Sequence, residues 1–259
     1  MARATALRSA GKLGQGVIAL YPLALIIALW EMVTRLGWVR PLFLPPFSAV
    51  IEQLHNLALD GELLPPLAIS LYRTFAGLSI AMLVGLPLGF LMVRSRILRW
   101  LFEPFVAIGL PAPKIALIPI FTLWFGIDHM AKIMLVALTS VFPFIVAAAA
   151  GARTVALNQI WAARAMGSSE LTLLHRVILP ASLPSLMSGL RVAVPIGLLT
   201  TFTTEMVAGG GLGGALVMAQ RYFETPTVYA YLLVMLFCGY VIDIGLLRLR
   251  RRVLRWHEG

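Results

Sequence analysis

Long apolar runs recur along this chain at intervals that leave little room for anything else. An α-helix rises about 1.5 Å per residue and the hydrocarbon core of a bilayer is about 30 Å thick, so about 20 mostly apolar residues suffice to cross it. Six runs meet or approach that length, over about 17–34, 67–93, 104–125, 132–152, 186–207 and 227–247. They predict an all-α, six-span integral membrane protein. The third run is interrupted by Pro104, Pro111, Pro113 and Pro119 and carries Lys114, which predicts a broken or kinked span.

Composition agrees with this reading: 60% of residues are hydrophobic, 12% are charged and the mean hydropathy is +0.91. The net charge of +10 would fit a nucleic-acid partner only if the cations shared one soluble face, whereas here they lie between apolar segments. Arg3, Arg8 and Lys12 precede the first run as they would in a signal peptide. The residues after it, Glu31-Met32-Val33-Thr34-Arg35, offer no small-residue cleavage site, so it reads as a retained span. Cytoplasmic loops retain Lys and Arg. Fourteen cations fall in 1–16, 94–103, 151–185 and 248–259, against Arg35, Arg40, Lys132 and Arg221 on the opposite side. That predicts a cytoplasmic N-terminal segment (1–16), a transmembrane domain (17–247) and a basic cytoplasmic tail (248–259). Cys238, alone in an apolar run, reads as packing.

The stretch 151–185 is the hydrophilic feature with the most to say. Residues 154–166 suit a helix, Gly167 suits the left-handed position just past a helix end, and Ser168 or Ser169 can cap a second helix. In that second arm Leu171, Leu174, Val177 and Ile178 form an apolar face, and Leu179-Pro180 is expected to end it. Periodicity alone is equally consistent with a loop resting on the headgroups.

The residues WAARAMGSSELTLLHRVILP resemble the EAA loop of bacterial ABC importer permeases, with Ala162, Ala163, Gly167, Val177, Leu179 and Pro180 in register. Trp161 departs from the pattern, since the family usually has Glu there. The segments SLYRTFAGLSIAMLVGLPLG (70–89), PAPKIALIPIFTLWFGI (111–127) and TEMVAGGGLG (204–213) are similar to permeases of the nitrate, sulfonate and taurine group. This resemblance implies a type I importer (MetI-like) transmembrane domain in the bacterial inner membrane, with both termini cytoplasmic. It also implies a second permease copy, two ATPase subunits that bind ATP and Mg, and a periplasmic or lipid-anchored solute-binding protein. The chain itself would need no cofactor or metal and would not be an enzyme. The implied solute is a small organic anion such as a sulfonate or taurine, or nitrate; some relatives carry vitamin precursors.

Several charged residues fall within or beside the spans. Glu205 either lines a substrate route or gate, or forms a structural ion pair or cap. Arg73, Lys114 and Arg191 either meet an anion or snorkel to a membrane surface. Trp124 and Phe125 suit an interfacial aromatic belt. Gly85 and Gly89 form a small-xxx-small pair around Pro87, which predicts close approach of another helix. Gly209, Gly211 and Gly214 match a dinucleotide fingerprint without the strand and βαβ context it requires, so a bend with positive φ is the better account.

Two other classes of protein fit the residues less well. An intramembrane enzyme needs converging catalytic groups, but His55, His129, His175 and His257 are scattered, with no H-x-x-x-H or G-x-S-x-G. An ion-driven carrier or channel has no use for an ATPase-docking loop. The chain also contains no G-x-x-x-x-G-K-[ST], so an energised permease would draw its ATP hydrolysis from another subunit.

Overall fold

A computed structural model describes residues 21–254, all of whose regular structure is helical. The expected N-terminal segment, the start of the first span and residues 255–259 lie outside the described residues. In chain order the helices are α1 (21–35), α2 (Phe47–Leu59), α3 (Leu64–Arg94), α4 (Arg96–Gly109), α5 (Ile118–Phe125), α6 (His129–Arg153), α7 (Leu157–Ala165), α8 (Glu170–Leu173), α9 (Leu179–Ala208), α10 (Gly211–Arg221) and α11 (Thr225–Val253).

Among the described residues, four helical stretches are long and apolar enough to span a membrane: α3, α6, Glu170–Ala208 and α11. A fifth follows if α4 and Lys114–Phe125, bent by 96° to each other, count as one broken span. This is the proline-rich run expected to be kinked, although its first half starts at Arg96 rather than at 104. The run at 17–34 is helical over its described part. Beyond 247, α11 continues as far as Val253, so the start of the basic tail is helix rather than a separate segment.

Two cores hold the bundle together. Leu78, Ala81, Val136, Phe144, Val194 and Leu198 join α3, α6 and α9, while Val50, Leu57, Leu212, Leu216, Ala230 and Tyr231 join α2, α10 and α11. Small residues set how closely α3 and α6 approach, as the glycine pair predicts. A Cβ at Gly85 would lie 2.8 Å from the Val141 carbonyl oxygen, and one at Gly89 would lie 2.7 Å from the Ala148 Cβ. Pro87 sits inside α3 without breaking it. Trp30 fixes α1 by donating from Nε1 to the Pro45 carbonyl at 2.9 Å and by packing on Phe47 and Tyr229.

The bundle therefore has two distinct ends. At one, α9 finishes where α3 and α6 begin. At the other, α7 follows the C-terminal end of α6 and α8 is tied to the last residue of α3.

Candidate functional site

The first of these ends buries a charge. Glu205, in the last turn of α9, is fully buried and meets Arg73 of α3, whose Nη1 donates to Glu205 Oε1 at 2.8 Å. A carboxylate out of water needs its remaining lone pairs filled. Ser70 Oγ donates to Oε2 at 2.7 Å and the Gly213 N–H donates to it at 3.2 Å. Ser70 Oγ in turn accepts from the Leu212 N–H at 2.9 Å, and Arg73 Nε donates to His129 Nδ1 at 3.2 Å. One carboxylate thus ties together α3, α9, α10 and, through Arg73, the start of α6.

The sequence permits this because the chain folds back over the pair in three glycines. Gly209, Gly210 and Gly211 have φ of 77°, 78° and 63°, a region that side chains with a Cβ enter at a cost. A Cβ on Gly211 would land on the Glu205 carboxylate, and one on Gly210 would sit 3.1 Å from Arg73 Nη2. The glycine run is thus a turn fitted around an ion pair, with a helix and no strand before it. Lys132, counted above as a loop cation, is instead 3% exposed within α6, where Nζ donates to the Ile127 carbonyl at 2.6 Å.

The structure brings Arg73 and Glu205 together but leaves Lys114 apart from them. Lys114 Nζ donates to the Leu110 carbonyl at 3.0 Å and lies 5.0 Å from the centre of the Phe142 ring. Arg191, expected to snorkel, pairs across helices instead: Nε and Nη2 donate to the two Asp243 carboxylate oxygens at 3.0 and 3.3 Å. Trp124 is exposed and Phe125 packs against Phe121.

The second end carries the helix-turn-helix. After α7, Gly167 takes φ 77°, its N–H donates to the Arg164 carbonyl at 2.9 Å, and the Ser168 N–H donates to Ala163 at 3.1 Å. Those are the bonds of a Schellman stop, where the left-handed position favours Gly. Ser169 Oγ then caps α8 by accepting from the Thr172 N–H at 3.3 Å.

Two expectations for this loop are corrected. Leu179-Pro180 does not end the second arm. Leu174–Ile178 form a π turn and the helix runs on into α9, with Pro180 in its first turn. The Leu179 N–H donates five residues back to the Leu174 carbonyl, and this wider register accommodates a proline whose missing N–H would interrupt a regular i→i−4 ladder. The apolar face also differs: Leu173, two residues and about 200° round the helix from Leu171, is the buried anchor, while Leu171 is 71% exposed and Leu174, Val177 and Ile178 are half-buried. Of the motif residues, Trp161 and Ala162 are exposed on α7, Ala163 is buried, Val177 lies in the π turn, and Leu179 and Pro180 open α9. Leu157, Trp161, Met166 and Leu171 are exposed apolar side chains on the loop.

Residues not singled out in the sequence complete both ends. Glu170 pairs with Arg94, the last residue of α3, and with Arg164 at 3.2 Å. Ser70, His129 and Gly213 complete the buried clamp, and Asp243 holds Arg191. A simple signal was available for the ion pairs. An apolar run carrying an isolated cation needs an anion in another run, and Glu205 and Asp243 lie in the fifth and sixth runs.

A helical bundle with several apolar spans, a charge buried between them and a structured polar loop at one end is the architecture of a membrane transport subunit. Residues 77–255 match the family model for the binding-protein-dependent transport system inner membrane component, and the chain belongs to that family of ABC importer permeases. It is 34% identical over 249 residues to the taurine transport system permease protein TauC of Escherichia coli (strain K12), covering 94% of this chain and 90% of that protein. It is 35% identical over 236 residues to the putative aliphatic sulfonates transport permease protein SsuC of the same organism, covering 90% and 89%. An inward-facing structure of the MetNI methionine ABC transporter shares the fold, with a TM-score of 0.64 at 22% identity over 71% of this chain and 93% of that one. The protein is accordingly a multi-pass inner-membrane permease of the sulfonate and taurine group, a transport subunit rather than an enzyme.

Proposed function

We propose that this permease imports a small sulfonate-type anion, and that the loop 151–185 couples it to a separate ATPase. The observation that carries the coupling is the loop's construction: a rigid Schellman turn at Gly167 presents exposed Leu157, Trp161, Met166 and Leu171 beside buried Ala163 and Leu173. Exposed apolar side chains on a polar loop suit a protein partner's groove. Trp161, 65% exposed, offers an aromatic anchor where relatives offer a carboxylate. Because Glu170–Ala208 is one helical stretch, displacement of the loop passes directly into α9.

In this reading the loop end is cytoplasmic, since Arg94, Arg153, Arg164, Arg176 and Arg248 gather there, and both termini share that side. Ala162, Ala163, Gly167, Val177, Leu179 and Pro180 form the coupling element. Two ATPase subunits hold ATP and Mg, a second permease copy completes the pore, and a solute-binding protein delivers the anion. The names of the taurine and sulfonate relatives support the substrate class.

The test is affinity purification of the tagged chain from detergent-solubilised membranes, together with sulfonate uptake. Wild type is expected to bring down an ATPase, and Gly167→Val is expected to lose it while staying in the membrane. Full ATPase recovery and uptake with Gly167→Val would remove the coupling assignment.

A further inference from the structure

We propose that the exposed face of α9 from Ser188 to Thr203 is a wall of the water-filled route through the membrane, and that Arg191, oriented by Asp243, is the cation an anionic solute meets there. The inference deepens the transport reading above and rests on it.

Depth is the first argument. Arg191 lies about 7 Å inside the start of the apolar run 186–207, and Asp243 lies about 7 Å inside Arg248, the first cation of the basic end of α11. An arginine can snorkel from such a depth, whereas the short side chain of aspartate cannot. Ionisable groups within spans face protein or water rather than lipid. Yet this pair is on the outside of the bundle, with side chains 45% and 39% exposed. The face that carries it is therefore not a lipid face.

The backbone of the same face supports the reading. Pro195 has no N–H, so it cannot satisfy the Arg191 carbonyl one turn earlier, and both residues are exposed. Ser188 and Thr203 share the helical face. Their hydroxyls donate to their own helix, to the Pro184 carbonyl at 3.0 Å and the Leu199 carbonyl at 2.8 Å, and leave their lone pairs free for water.

Alongside, α9 and α11 flank a groove of about 350 Å³ that is lined by apolar residues apart from Asp243, so the chain itself does not cover the pair. A dry contact with a second copy would strip water from a half-covered ion pair and from the carbonyl left by Pro195; an aqueous route satisfies both. Asp243 holds the guanidinium by two oxygens. That leaves donors of the five-donor fork for an incoming sulfonate.

The experiment uses the complete transporter in proteoliposomes with Cys238 replaced by serine. Single cysteines at Ser188, Val192 and Leu199 are compared with one at Ile26 on exposed α1, using a charged, membrane-impermeant methanethiosulfonate. Thiolates form only in water, so the α9 positions are expected to react at least about tenfold faster than the control. Labelling requires no solute, and it therefore reads the wall even if the sulfonate assignment fails.

For the cation, Arg191→Gln is expected to raise the KM for sulfonate uptake by about tenfold or more, the loss of one charge-assisted contact, while ATP hydrolysis persists. Arg191→Lys should fall between, and the exchange Arg191→Asp with Asp243→Arg should not restore uptake. Reaction rates no faster than at Ile26 would overturn the wall. A wild-type KM in the exchanged pair would make Arg191 and Asp243 structural only and overturn the solute contact.

Discussion

Both ends of the bundle place one carboxylate among basic side chains, and they do so under opposite conditions. Glu205 is fully buried, with Arg73, Ser70 and the Gly213 N–H filling its lone pairs and a glycine turn closed over it. Glu170 is about half exposed between Arg94 and Arg164, with water free to replace either partner. The buried arrangement is expensive to break, because each member left alone is a charge in a low-dielectric site. The exposed one is inexpensive to break and is screened by salt. The first therefore suits a fixed joint between α3, α9 and α10, and the second is a contact with α3 that can be broken and remade at little cost.

The largest effect is expected from breaking the joint on one side. Arg73→Ala or Glu205→Ala should each cost about 3–5 kcal/mol, and the joint replacement Arg73→Leu with Glu205→Leu should cost much less than the two singles together. Thermal unfolding in detergent reads this, and additive costs would mean the two charges are not a unit.

Next comes Gly211→Ala, which adds a Cβ on the carboxylate as well as an unfavourable φ. It should cost more than Gly209→Ala, where the added atom meets open space and only the left-handed penalty of about 1–2 kcal/mol remains. Equal losses would show that the turn is not fitted to the pair.

At the other end, Gly167→Val is expected to cost about 1–2 kcal/mol through φ alone, since nothing lies within 4 Å of the added Cβ. Aspartate tolerates the left-handed region better than a β-branched residue, so Val is the sharper probe. Its effect should appear in ATPase recovery more than in the melting temperature.

Glu170→Gln comes next, at no more than about 1 kcal/mol, and high salt should abolish even that difference. A salt-independent loss comparable with that at Glu205 would erase the contrast between the two ends.

Smallest is Ser140→Ala. Ser140 Oγ is buried with no hydrogen-bond partner among the described residues, so removing it should leave stability unchanged or slightly raised.

Much of the loop was legible beforehand, because its determinants are local. Gly167 stops a helix through its own φ, and Ser169 caps the next by accepting from the Thr172 N–H, six residues of chain in all. The glycine pair at 85 and 89 similarly announced a close helix contact. What stayed hidden depended on partners far along the chain. Arg73 and Glu205 are 132 residues apart, and Arg191 and Asp243 are 52 apart. The π turn at Leu174–Ile178 was hidden too, since Leu179-Pro180 reads locally as a stop and only the wider turn lets the helix continue.

By itself, then, the sequence determined that this chain is a helical membrane protein, that its cations lie predominantly on one side, and that the loop turns at Gly167. Those properties follow from hydropathy, helix rise and single-residue φ preferences, none of which needs a distant partner. Tertiary structure alone decided which charges meet, that Lys114 stands apart from them, and that the glycine triplet encloses a carboxylate. In an apolar bundle an ionisable side chain is stable only with a partner from another helix, and helix packing chooses that partner.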